Sequence, residues 1–388
     1  MNMPKEPISI EVLGALVRVG PGAVHEVGSF FQKAGSKKVF IATDKGVVKA
    51  GLVKSSLASL EKARIGFELF DEIEPNPSDR TVMAGAEIFK KTGCDALLGV
   101  GGGSALDAGK AIQVMAVHPG HVSEYFGVAA ASKINPRKPY YIAVPTTSGT
   151  GSEVSRGCVI TNTATNTKSV VRAGLPQLAV IDPELTLSMP PFLTAATGMD
   201  ALSHCIEACV SNAYNPVCMA LGLEGIRLIG RSLKTAVQKG SALEARLDMA
   251  VASMMGALAF QKGLGAVHSL AHQLSTEAGI HHGVANSILL PHVMRFNLSE
   301  ASRELWEVGR ALGKNVSSLS AAEGGERAFA AVTRLSREIR LPQRLRDVEV
   351  KESHIPLMAK KAMGDWCHPF NPRPCREADM ESLYRTAY

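Results

Sequence analysis

The first 187 residues alternate short apolar runs with amphipathic stretches of helical period. Residues 37–44, 95–104, 140–145 and 178–182 are β-rich and apolar without polar alternation, the pattern of strands buried on both faces. Between them, residues 23–34, 47–62, 78–92 and 104–116 carry the helical period expected of crossover connections. This order predicts a parallel sheet with helices on both sides. Past Asp182-Pro-Glu the strand signal disappears. Ala-, Leu-, Met-, Glu- and Arg-rich segments follow, among them 216–234, 242–260, 299–312 and 323–339, punctuated by Gly and Pro. The expected organisation is an α/β domain over 1–187 and an all-α domain over 188–388, packed directly with a ligand cleft between them.

Composition narrows the class. With 388 residues, 46% hydrophobic and 20% charged, the chain has the make-up of a soluble globular protein of two domains. A net charge of +6, dispersed without basic blocks, gives no reason to expect nucleic acid. No apolar run reaches membrane-spanning length and the first residues lack the order of a signal peptide, so no membrane is expected and the location expected is cytoplasmic. Seven cysteines without a C-x-x-C pair read as reduced thiols; Cys205 and Cys209, one helical turn apart beside His204, read as small core residues.

Candidate chemistry lies in three places. Asp200 and His204, and again His268 and His272, are spaced four apart, one turn of a helix on one face. A single imidazole in an apolar helix is usually a packed core residue. Here five of eleven histidines (His204, His268, His272, His281, His282) crowd one region beside a carboxylate, which favours a first-row divalent metal over Mg or Ca. No Glu follows His268 or His281 as a zincin motif requires. The second place is Gly99-Val-Gly-Gly-Gly-Ser104 with Asp107 and Lys110, where a strand hands over to a helix. It suits a phosphate against free N–H groups, or simply a tight turn, and it matches neither the Walker nor the Rossmann spacing. The third is Pro-Thr-Thr-Ser-Gly-Thr-Gly-Ser-Glu at 145–153, a strand-end loop rich in hydroxyls.

Taken with Asp-Pro-Glu-Leu at 182–185, Gly-Met-Asp-Ala-Leu-Ser-His at 198–204, Gly-Leu-Gly-Ala-Val-His-Ser-Leu-Ala-His at 263–272, His-Gly-Val-Ala-Asn at 282–286 and Asn-Pro-Arg-Pro at 371–374, the chain resembles the iron-containing (group III) alcohol dehydrogenase family over nearly its whole length. The resemblance implies a Rossmann-like dinucleotide-binding domain followed by an all-helical metal domain, the dehydroquinate synthase-like architecture. It implies Asp200, His204, His268 and His282 as ligands of Fe(II) or Zn, and His272, unligated, as a proton relay. It implies Gly101, Gly102, Gly103 and Ser104 at the pyrophosphate, and Thr146, Thr147, Thr150 and Lys168 on the rest of the dinucleotide. Asp44 matches the acid that binds the adenosine ribose; a carboxylate accepts from a 2′-hydroxyl and repels a 2′-phosphate, so NAD is expected.

The reaction implied is hydride transfer between NAD and a primary alcohol, diol or hydroxy acid, by a homo-oligomer, a dimer being the commonest assembly. Its rivals are a glycerol dehydrogenase or a dehydroquinate-synthase-type cyclase on the same architecture, and a nucleotide-binding protein without catalysis. Lys262, six residues ahead of His268, would favour an acidic substrate if it faces the pocket.

Overall fold

The structure is a computed structural model and describes residues 8–12 and 14–388. The chain packs as two compact units. One comprises the described residues up to Thr147 with Gly151–Ser188; the other comprises Ser148–Thr150 with Met189–Tyr388.

The first unit carries the strands β1 (Ile8–Val12), β2 (Ala15–Val19), β3 (Lys38–Ala42), β4 (Gly66–Phe70), β5 (Ala96–Gly101), β6 (Tyr140–Pro145), β7 (Cys158–Asn162), β8 (Thr167–Val171) and β9 (Leu178–Ile181). Its helices are α1 (Val27–Lys33), α2 (Lys45–Lys49), α3 (Lys54–Lys62), α4 (Asp79–Lys91) and α5 (Gly103–Met115). Seven strands form one sheet in the order β1-β2-β9-β6-β5-β3-β4, all neighbours parallel except the β1–β2 hairpin at the edge. Alternate residues of the central strands serve opposite layers, as the runs without polar alternation require. Phe40, Leu97 and Tyr141 join α4 and α5 residues such as Val82, Leu106 and Ile112. Val39, Ile41, Leu98 and Ile142 face Val27, Phe31 and Leu60 of α1 and α3.

β3 leads outward to β4 whereas β5 leads to β6 on the other side, so the strand order reverses between β3 and β5. Open α/β sheets bind ligands at the carboxyl ends of strands flanking such a switch point. Two sequence expectations are refined here. The helix expected over 47–62 is split into α2 and α3 by Gly51, whose φ of +74° stops the first turn. The ribbon β7–β8 pairs Cys158 with Val171 through Asn162 with Thr167 and was not anticipated, because polar residues interrupt the apolar ones in both strands.

The second unit is helical: α6 (Pro191–Val210), α7 (Pro216–Gln238), α8 (Leu243–Ala259), α9 (Ala266–Glu277), α10 (His282–Ala311), α11 (Ala321–Glu338), α12 (Ile355–Ala362) and α13 (Glu377–Thr386). α6 starts on Pro191 at its first turn, is buried on all sides from Thr194 onward, and contributes Ala195, Met199, Leu202 and Ile206 to the core. The helix expected over 299–312 is the second half of α10, which runs through Pro291 and bends at Ala301 (φ −129°, ψ 30°). Cys205 and Cys209 are fully buried, with their thiols toward the carbonyls of Ala252 and Met219, as core residues. Among the described residues no single helix is long and apolar enough to cross a membrane; α8 and α9 pass together by length and composition but are bent by 110°.

Candidate active site

In the helical unit the i, i+4, i+7 face of α6 carries Asp200, His204 and Glu207, all almost wholly buried. His268 sits in the first turn of α9, and that turn is anchored: Glu207 Oε1 accepts from Val267 N–H at 2.7 Å and Asn371 Oδ1 from Ala266 N–H at 3.2 Å. These bonds satisfy two N–H groups that a helix start leaves open. His282 opens α10, whose next residue, Gly283, lies so close to α6 that a Cβ there would stand 2.2 Å from the Ala196 carbonyl oxygen. Glycine alone permits that approach.

Asp200 Oδ1 is the hub of the cluster. The Nε2 atoms of His204, His268 and His282 lie 3.7, 3.8 and 3.6 Å from it. A tetrahedral ion with bonds of about 2.1 Å needs donor separations of roughly 3.4 Å, so shifts of a few tenths of an ångström would close the set around one ion. The tautomers fit too. Burial, opposed by the charge of Asp200, takes the His204 pKa down to about 4, and its Nδ1 faces the Gly149 carbonyl at 3.2 Å. That assigns the proton to Nδ1 and the lone pair to Nε2. His268 Nδ1 is tied to Glu207 Oε2. Burial there is outweighed by Glu207, with help from Asp200, so the His268 pKa is raised.

The amide of Asn286, one turn after His282, occupies the middle of these donors. Its Nδ2 lies 2.7 Å from Asp200 Oδ1, 3.2 Å from His282 Nε2 and 3.4 Å from His268 Nε2, while its Oδ1 is buried without a hydrogen-bond partner. A carboxylate and three imidazoles with inward lone pairs form a donor set that fits a divalent cation.

Beside the cluster, His272 stacks on His282 at 5.4 Å between ring centres and donates from Nδ1 to Asp365 Oδ2 at 2.7 Å. Asp365 is buried and takes further bonds from Ser269 Oγ (2.8 Å) and Cys367 N–H (2.9 Å). Burial alone would raise its pKa; the charge and hydrogen bond of His272 outweigh that and hold it well below the usual carboxylate range.

In the sheet unit the switch point gathers Asp44 at the end of β3 and Gly101, Gly102 and Gly103 at the end of β5. Gly101 has φ +153°, and a Cβ there would stand 2.7 Å from Ala105 Cβ and 3.6 Å from Asp44 Oδ2. Asp44 also caps α2, its Oδ1 accepting from Val47 N–H at 2.9 Å. Ser104 lies in the first turn of α5; Thr146 N–H bonds the Gly101 carbonyl at 2.9 Å, and Thr147 lies against Gly102. Lys168 lies on β8 opposite Thr161, whose Oγ1 donates to the carbonyl of Asn76, the residue whose N–H donates to Ser104 Oγ at 3.3 Å; Thr150 belongs to the helical unit.

Two lysines have interior roles. Lys110 is fully buried and binds Asp107 Oδ1 and the Ser152 carbonyl, each at 3.0 Å, so it holds the 152–157 loop on α5. Lys262 is buried and donates to the Cys209 carbonyl at 3.0 Å, closing the end of α6. The sequence left open whether Lys262 faces the pocket; its ammonium turns to the end of α6 instead. An ammonium committed to a helix C-terminus is not presented to a ligand.

The profile described as "Iron-containing alcohol dehydrogenase" matches residues 15–183, and that described as "Fe-containing alcohol dehydrogenase family, C-terminal" matches residues 194–388. The chain belongs to the iron-containing alcohol dehydrogenase family. Of the two metals its sequence leaves open, the family's description carries iron. This dehydrogenase is 44% identical over 374 residues to the 1,3-propanediol dehydrogenase of Klebsiella pneumoniae, covering 95% of this chain and 96% of that one. It is 39% identical to the NAD-dependent methanol dehydrogenase of Bacillus methanolicus, covering 95% and 97%. A crystal structure of a 1,3-propanediol oxidoreductase superposes with a TM-score of 0.93 at 41% identity over the full length of both chains.

Three residues of the dehydrogenase's site were given no role from sequence. Glu207 continues the Asp200–His204 stripe and was legible as i+7. Asn286 repeats the four-residue step from His282. Asp365 has no local signal, since it lies 93 positions from His272.

Proposed function

We propose that this dehydrogenase interconverts small primary alcohols or diols and their aldehydes with NAD, at Fe(II) held by Asp200, His204, His268 and His282. The observation that carries the reading is the convergence of three Nε2 atoms within 3.6–3.8 Å of one Asp200 oxygen, with a carboxylate-paired His272 alongside. The names of the relatives, a propanediol and a methanol dehydrogenase, support a small alcohol, and the latter's supports NAD. Bound there, a divalent ion supplies a Lewis acid for the alcohol or carbonyl oxygen, and the nicotinamide supplies the redox chemistry.

The chain's residues align and protonate. Asp44 would accept from the adenosine ribose, Gly101, Gly102, Gly103 and Ser104 would hold the pyrophosphate at the start of α5, and Thr146, Thr147, Thr150 and Lys168 would bind the rest of the dinucleotide. Glu207 and the Gly149 carbonyl fix the tautomers of His268 and His204, so that both Nε2 lone pairs would be free for an ion. Asp365 keeps the His272 proton on Nδ1, which leaves Nε2 as the atom that exchanges a proton with the alcohol. Seven cysteines, all free and six of them buried, suit a reducing cytoplasm.

The test is chelator-stripped protein reloaded with Fe(II) or Zn(II), assayed for nicotinamide reduction across primary alcohols, diols and hydroxy acids. Metal-dependent turnover of alcohols and diols is expected, with both metal content and turnover lost in His268→Ala. Cofactor binding without turnover under either metal would defeat the proposal.

A further inference from the structure

We infer that Trp366 sets the shape of the alcohol this dehydrogenase accepts, as one wall of the approach to the metal cluster; the inference rests on the function proposed above. Exposure within the cluster is uneven. The side chains of Asp200, His204 and His268 are 4%, 6% and 2% exposed, and that of His282 is 25% exposed. His204 is further covered by Phe260, ring centres 5.1 Å apart, and His268 by Glu207. The His282 edge is therefore the side from which a substrate oxygen reaches the donors.

An aromatic column borders that edge. His272 stacks on His282 at 5.4 Å, and the indole of Trp366 lies on His272 at 5.0 Å, tilted by 36°. Trp366 is 40% exposed, whereas its neighbours Asp365 and Cys367 are buried and hydrogen-bonded to each other. The indole is thus held from behind by a fixed segment, and part of its surface faces solvent one ring away from the proton-exchanging His272.

A large flat apolar wall beside a reacting oxygen favours a straight hydrocarbon chain lying along it. Each methylene removed from water there strengthens binding about fourfold. A branch beside the carbinol carbon lifts the chain off the wall and loses that contact. The substrate class implied is straight-chain primary alcohols and diols with their aldehydes, in preference to branched isomers.

Two measurements test this. The first is the ratio of kcat/KM for butanol over isobutanol in the iron-loaded enzyme and in Trp366→Ala and Trp366→Phe. The ratio is expected to fall by roughly tenfold or more in the alanine variant and to be largely kept in the phenylalanine variant. An unchanged ratio in Trp366→Ala at wild-type iron content overturns the inference, while an enzyme that oxidises no alcohol at all counts against the proposed function instead.

The second measurement needs no turnover. The chain has two tryptophans, Trp306 and Trp366, so Trp306→Phe leaves Trp366 as sole reporter. Pentanamide, a straight-chain carbonyl compound with no aldehyde hydrogen, is expected to shift the Trp366 emission to the blue in the metal-loaded protein. Unmoved emission at concentrations that inhibit turnover, or at saturating pentanamide where there is no turnover, also overturns it.

Discussion

Glu207 offers a direct test of how the protein prepares its metal donors. Its two oxygens serve two donors, Val267 N–H and His268 Nδ1–H, in a site only 2% exposed. In Glu207→Gln the amide oxygen can satisfy one of them, and the amide NH2 then faces the other. If it faces His268, the ring relieves the clash by moving its proton to Nε2, which turns an N–H toward Asp200 where a lone pair is needed. Removing such an outer partner weakens metal binding by about 10–100-fold, equivalent to roughly 1.4–2.7 kcal/mol. Because metal stabilises only the folded state, the same loss appears in melting. For a cooperative unit of about 200 residues the metal-induced gain in Tm should shrink by roughly 3–10 °C. Chelator competition with Fe(II) or Co(II), alongside melts with and without metal, measures both quantities. Wild-type affinity and an undiminished metal-induced gain in Glu207→Gln would refute the reasoning, since the carboxylate would then have no hold on the His268 tautomer.

Three further outcomes are expected. Asp365→Asn should lower turnover by about 100-fold at unchanged metal content, because His272 loses its fixed tautomer while the ligands keep theirs; a solvent isotope effect on kcat that differs from wild type would distinguish this from misfolding. Asp44→Ala should narrow the preference for NAD over NADP, measured as the ratio of their kcat/KM values, because the charge repelling a 2′-phosphate is gone. Glu153 is buried, and that burial, which outweighs a backbone hydrogen bond and the charge of Lys110, raises its pKa to about 7 from an ordinary 4.5. A carboxyl raised on folding binds its proton more tightly in the native state, so its penalty is absent below the unfolded pKa and grows as pH rises to the folded one. Glu153→Gln should therefore leave the Tm near pH 4.5 unchanged and raise stability at pH 8 by an amount on the order of 3 kcal/mol.

Much of the fold was legible because buried parallel strands and amphipathic helices write their periods into local sequence. β3, β5, β6 and β9 stand where apolar runs without alternation predicted them. The β7–β8 ribbon escaped notice because polar residues interrupt its apolar ones, so neither strand forms an apolar run, and the joining of 282–311 into one helix was not expected from a helical segment read only over 299–312. Lys262 shows the limit for single side chains. Its position near the ligands was visible, but its direction was set by the Cys209 carbonyl at the end of α6.

For the site, the sequence by itself determined the donor types and their spacing along each helix. Four-residue steps put Asp200 with His204, and His282 with Asn286, on common faces whatever the surroundings. Which of those faces meet was decided only by packing α6, α9 and α10 around one core. That packing brings Asp200 within 3.8 Å of His268 and 3.6 Å of His282, and delivers Asp365 to His272 across 93 residues of chain. Local periodicity fixes where a side chain points from its own helix. The coincidence of lone pairs from three helices at one carboxylate oxygen is a long-range property that no local pattern encodes.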